Sequence, residues 1–229
     1  MPPNLKFFLD DVEECWHYGK AFDYIHSRHS IQAFRDRPKL LKNALANLKP
    51  GGWIECQEFD LAPKSDDGSI SRGNSMAKYW EWVAEGLAKH GVTSTAPQLK
   101  EMMEEAGFVN VEQRVFKTPI GTWAKNQNLK EVGEYWQAAL RLGAKSVALA
   151  PLIWGSGWTE DEVDVLCAKT KTAYTDKSTH AYMCFYVVYG QKPHTCVSTK
   201  VNALSQNLAH EGMFCRFYRK FRSGFHAVL

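Results

Sequence analysis

Three groups of residues in this chain of 229 have side chains able to do chemistry. The first is the acidic pair Asp10-Asp11, followed at once by Val12, which closes the apolar run LKFFL. The second is His26-Ser27-Arg28, at the end of AFDYIH. The third is Glu55, Gln57, Glu58 and Asp60, set among and after WIEC. An imidazole titrates near neutrality, so His26 is a candidate general base, although such a residue more often packs or merely lines a pocket. Glu58 can reach a ligand at a strand tip, or equally close a salt-bridged strand end. His26 and Glu58 are therefore the candidate catalytic residues. Arg28 can pair with a carboxylate such as Asp23 or Glu58. The six cysteines have no CxxC and no Cys/His spacing suited to zinc, so no metal is expected and they read as reduced, small apolar residues.

The elements that position these groups follow from pattern. Residues 5–9 read as a buried strand with carboxylates at its C-terminal tip, and residues 21–26 as a second strand. Asp36 is a good N-cap, with Pro38 in the first turn of a helix whose apolar face is Leu40, Leu41, Ala44, Leu45 and Leu48. Pro50, Gly51 and Gly52 turn the chain into a third strand, Trp53 to Glu58. This strand–helix–strand order argues for a parallel sheet, whose strand tips are where ligands bind. Helices follow on Met76, Tyr79, Trp80, Val83 and Leu87, and on Leu99, Met102, Met103 and Ala106, the latter capped by Thr95. A strand over 108–116 comes next, then a helix through Leu129, Val132, Trp136 and Leu140. Residues 144–154 read as helical at first and broken by Pro151. Thr159 and Glu162 make a capping-box pattern, and YMCFYVVY (182–189) is the most β-prone run. Trp80, Trp82, Trp123, Trp136 and Trp154 can line an aromatic pocket, but at helical spacing core packing is preferred for Trp80 and Trp136.

Composition narrows the classes. Residues 194–229 carry five Lys/Arg against one acid, and the rest is nearly neutral, so the main body has no nucleic-acid footprint. No window is apolar over the length a membrane span needs, and no secretory signal is visible, which sets the expectation of an intracellular protein, in cytoplasm or nucleus. The tail, with FCRFYRKFRSGF, reads as disordered; binding of RNA or an anionic membrane through its bases and rings is the alternative.

LKFFLDDVEE, FDYIHSRH, RPKLLKNALANLKPGGWIECQEFD, EEAGFVNVEQ, PIGTW and HAYMCFYVVYGQKP together resemble the class I S-adenosylmethionine-dependent methyltransferases, and more narrowly the fungal group related to regulators of secondary metabolism. The resemblance covers about residues 3 to 193. It implies an α/β, Rossmann-like sheet of strand order 3-2-1-4-5-7-6 with the last strand antiparallel, of which this chain supplies strands 3 to 7. It also implies helical insertions at about 70–106 and 126–155. The family's glycine-rich loop and its first two strands have no counterpart before Leu5, so the resemblance implies an N-terminally truncated form with impaired cofactor binding. Residues carried over as cofactor-binding are Asp10, Asp11, Val12, His26, Ser27 and Arg28, with Asp11 taking the adenine amino group and Val12 offering its backbone N–H. The implied acceptor is a small molecule or a protein. A non-catalytic methyltransferase-like interaction module with a protein partner is the alternative.

Overall fold

The helix expected after Asp36 forms as α1 (Arg37–Asn47), and its start has a local cause. The Asp36 carboxylate accepts from the Lys39 backbone N–H at 2.9 Å, and Pro38 occupies the first turn, where no N–H is missed. The computed structural model describes residues 5–19, 21–71 and 73–194; the rest of the basic-aromatic tail lies outside the described residues.

Four strands form one sheet, in the order β1-β2-β4-β3. They are β1 (Phe22–Arg28), β2 (Leu48–Phe59), β3 (Val109–Pro119) and β4 (Tyr182–Gln191). β1 runs parallel to β2, while β4 lies antiparallel to both β2 and β3. This is the 4-5-7-6 portion of the methyltransferase order, with the last strand reversed. β2 begins at Leu48, which also caps α1, so helix end and strand start share one residue.

The expected strand at 5–9 does not form. Leu5, Phe7, Phe8 and Leu9 are 47–70% exposed. A strand needs a neighbour to take its backbone hydrogen bonds, and in the family order two strands stand between this one and β1. The apolar run was a sound β signal without a partner. Residues 10–19 instead pack beside α1: Val12 is buried, and the Trp16 indole N–H donates to the Val12 carbonyl at 2.8 Å.

Two cores result. One lies between the sheet and α1 with α3 (Leu99–Ala106), where Leu41, Ala44, Ile54, Cys56, Leu99, Met103 and Val188 are almost wholly buried. The other lies beyond the C-terminal tips of β2 and β3, among α2 (Ser75–Ala88), α4 (Gln127–Ala150) and α5 (Glu160–Ala173), with Phe59, Ile120 and Met183 as the sheet's contribution. Each such buried aliphatic or aromatic side chain contributes about 1.5–3 kcal/mol. Thr159 and Glu162 complete a capping box on α5. Thr95 makes no side-chain cap; a short 3-10 turn at Ala96–Gln98 leads into α3 instead.

Pro151 does not break its helix. The chain continues through a π-helical turn (Pro151–Gly155), which brings the Pro151 carbonyl against Gly86 of α2. A Cβ at Gly86 would stand 2.3 Å from that oxygen, so the two backbones meet only because Gly86 has no side chain. No described helix is long and apolar enough to cross a membrane.

Candidate functional site

β1 places Ser27 and Arg28 at its C-terminal end, beside Cys56 and Gln57 of β2. Alternation then separates them. Ser27 faces α1, with its hydroxyl 2.8 Å from that of Ser30. His26 and Arg28 face the opposite side. His26 Nδ1 lies 3.3 Å from the Glu55 carboxylate, and its ring stacks on Tyr24 at 6.2 Å. Arg28 sets its guanidinium over the Phe185 ring at 5.7 Å. It does not form the expected ion pair. Asp23 is held by Lys49 at 2.7 Å, and Glu58 is occupied by the chain just after β1.

Glu58 is fully buried, and hydrogen bonds explain how a carboxylate can be. One oxygen accepts from the backbone N–H groups of Ser30 and Ile31 at 2.9 and 2.8 Å. The other accepts from the Gln32 side-chain amide at 3.0 Å, which also donates to the Phe59 carbonyl. Three N–H donors thus commit this carboxylate to folding the strand tip, so Glu58 is a positioning residue rather than a free base. Asp60, also buried, is engaged by Lys64 at 2.7 Å and by the Ser94 hydroxyl at 3.3 Å.

What Glu58 positions is His29. This residue sits in the left-handed region at φ 51, which histidine tolerates better than most side chains. Its ring stacks on Phe59 at 5.3 Å, and Phe59 stacks in turn on Trp136 of α4 at 4.3 Å. The His29 pKa is pushed below its ordinary value, desolvation outweighing the nearby Glu58 charge. The imidazole is therefore neutral at neutral pH, despite one side being open to solvent.

A cavity of about 310 Å³ opens here, lined by His29, Gln32, Glu58, Phe59, Leu61, Trp80, Trp136 and Met183. Trp80 is buried in the helical core, its indole N–H bonded to the Tyr174 hydroxyl at 3.0 Å. Trp136 is only partly buried and is wall as well as core. Trp154 lies 73% exposed, and Trp123 bonds the Ala181 carbonyl at 2.8 Å.

A second cavity, of about 290 Å³, runs along β1 between the sheet and α1. Val12 and Ser27 line it with His26 and Arg28, although the side-chain ends of the last two lie on the sheet's other face, against Glu55 and Phe185. Asp10 and Asp11 stay outside its lining, exposed, their carboxylates accepting from the Asp11 and Glu13 backbone N–H groups at 3.0 Å. Trp16, Ile25, Phe34, Leu40, Leu41 and Ile54 make this wall chiefly apolar, and no carboxylate belongs to it. Its hydroxyl side chains are Ser27 and Ser30, and no carboxylate among the described residues is placed here to accept from both hydroxyls of a ribose diol, so these residues do not fit a whole adenosyl cofactor. Among them no group of His, Cys, Asp and Glu is arranged to hold a metal.

His29, Gln32 and Phe59 carry no site assignment from sequence, and Trp136, one of the tryptophans able to line an aromatic pocket, is wall as well as the core residue preferred for it. The signal available was a histidine directly after a strand, followed by a serine and one turn of helix. The stack on Phe59 depends on Trp136 of α4, far along the chain, and no local pattern announces it.

A family model described as a methyltransferase domain matches residues 1–113. Methyltransferase pytC of Aspergillus terreus is 32% identical over 194 residues, covering 84% of this chain and 60% of its own length. The secondary metabolism regulator LAE1 of Cochliobolus heterostrophus is 26% identical over 198 residues, covering 84% and 64%. The chain thus spans less than two thirds of these curated relatives. Among solved structures, Haemonchus contortus phosphoethanolamine N-methyltransferase 2, in complex with S-adenosyl-L-methionine, matches with 17% identity and a TM-score of 0.41, over 75% of this chain and 33% of its own.

Proposed function

We propose that the chain is a member of the fungal S-adenosylmethionine-dependent methyltransferases it resembles, and that its cavity at the strand tips is the methyl-acceptor side of a transferase for a small molecule in secondary metabolism. The cofactor of the family supplies a methyl group already activated on sulfonium sulfur. The protein's work is then positioning the acceptor and excluding water. The observation that carries this reading is the 310 Å³ cavity itself, where the tips of β1 and β2 meet an aromatic wall from α2 and α4. Glu58 fixes the turn that presents His29 to it. The β1-side residues Val12, His26, Ser27 and Arg28 are proposed to meet the cofactor, with Asp10 and Asp11 outside the cavity they line. Because no carboxylate lines that cavity to accept from both hydroxyls of the ribose, we read cofactor binding by these residues alone as impaired.

Ultraviolet crosslinking of radiolabelled S-adenosylmethionine to the purified chain, with the site mapped by mass spectrometry, tests the placement. Label on residues 26–30 or on Val12, appearing only at high cofactor concentration, supports it. Label confined to distant surfaces contradicts it.

A second reading, a non-catalytic interaction module, is favoured by one observation. The sheet face carrying Tyr24, Trp53, Tyr189 and Arg114 is partly open, with Tyr24 52% exposed. A stoichiometric partner that reconstitutes from purified components, without cofactor binding, is its signature.

A further inference from the structure

We infer that the strand-tip cavity takes a planar, uncharged ring system bearing a hydroxyl or amide group, a deduction that rests on reading this cavity as the acceptor site. Three observations converge. The wall is a ladder of parallel rings, His29 on Phe59 on Trp136, with interplanar angles of 7° and 10°. A flat occupant is the shape that continues or lies against such a ladder. No Lys or Arg is among the described residues of the wall to meet an anion, the Glu58 carboxylate is fully buried behind its three N–H donors and so is not presented to a cation, and desolvation favours the neutral form of His29. Phe59 is itself buried with His29 and Trp136 stacked against it, so its ring does not stand open as a wall of a cation-binding cage.

The third observation gives polarity. Two atoms of wall residues are buried with no hydrogen-bond partner, the Gln32 side-chain oxygen and the Trp136 indole N–H. Gln32 cannot turn its amide to correct this, because its nitrogen is committed to Glu58 and to the Phe59 carbonyl. An orphan acceptor calls for a donor and an orphan donor for an acceptor, and a hydroxyl, or a lactam with its N–H and carbonyl, carries both. Both atoms are closed to solvent, so an occupant that bonds either one must displace side chains of the wall. A volume of 310 Å³ suits a fused two- or three-ring molecule.

The test uses 2-naphthol, naphthalene and tetramethylammonium as probes on the full ¹⁵N-labelled chain, without cofactor. The eight tryptophans give separate indole N–H resonances, and Trp136→Phe identifies its own. Saturable 2-naphthol binding is expected, with a downfield shift of the Trp136 indole proton that naphthalene does not produce. The preference for naphthol over naphthalene should be about fivefold, the size of one neutral hydrogen bond, and should vanish in Trp136→Phe while naphthalene binding persists. That retained binding shows that the variant folds. No binding of either ring, equal binding with an unshifted Trp136 proton, or tetramethylammonium competing at the same site each overturns the inference. None of these outcomes depends on S-adenosylmethionine, so a failure here is separate from a failure of the transferase reading.

Discussion

Glu58 is the residue on which the strand tip depends. Replacing it by alanine leaves the Ser30 and Ile31 N–H groups and the Gln32 amide without an acceptor in a buried place. Glu58→Ala should destabilise the fold by about 3 kcal/mol, and Glu58→Gln by roughly half of that, as measured by urea unfolding. A loss under about 0.5 kcal/mol in the alanine variant would mean that the turn holds itself. A second carboxylate acts by pH. Asp67 is held below its ordinary range first by the Ser69 hydroxyl, then by the Ser69 backbone N–H and by His180, which lies 2.6 Å away. A depressed carboxylate stabilises the folded state above its unfolded pKa, and that contribution is lost as pH falls toward the folded value. Asp67→Asn should lower the melting temperature at pH 7, with the gap to wild type narrowing below about pH 4. A gap that is constant across this range would contradict the assignment. Sequence singled out Glu58 but left open whether it was a ligand or a strand-end group. Its partners are backbone N–H groups nearly thirty residues away, which only the folded register brings within reach.

Among elements, the regular ones were legible because their causes are local. Asp36 with Pro38, Thr159 with Glu162, and the β-branched and aromatic run at 182–189 each announce themselves over a few residues. The failures had non-local causes. Residues 5–9 have strand chemistry but no neighbour. Pro151 has helix-breaking chemistry, but it lies at a π-helical turn that widens the backbone where α2 presses against it. That contact makes a paired prediction. Gly86→Ala should destabilise by about 1–3 kcal/mol, because its Cβ meets a backbone carbonyl that cannot step aside. Gly143→Ala in α4 meets nothing within 4 Å and should stabilise by about 0.5–1 kcal/mol through helix propensity. Thermal unfolding of the two variants decides it: equal shifts of either sign would remove the tight crossing from the account.

At the scale of the molecule, the sheet order and the reversed last strand agree with what the motifs implied, because PGG-W, the β1 segment and the final strand carry the topology among them. The division of labour between the two cavities was not legible, since it depends on which face each strand residue takes and on where α4 comes to rest. On the proposed reading the aromatic cavity takes the acceptor, while the chiefly apolar cavity along β1 offers no carboxylate to the ribose of an adenosyl group. This contrast is the central claim, and calorimetric titration of the purified chain with S-adenosylmethionine tests it most directly. The account predicts heats too small to fit a micromolar site. Saturable micromolar binding with one-to-one stoichiometry would contradict it, and would mean that these residues build the cofactor's cradle themselves.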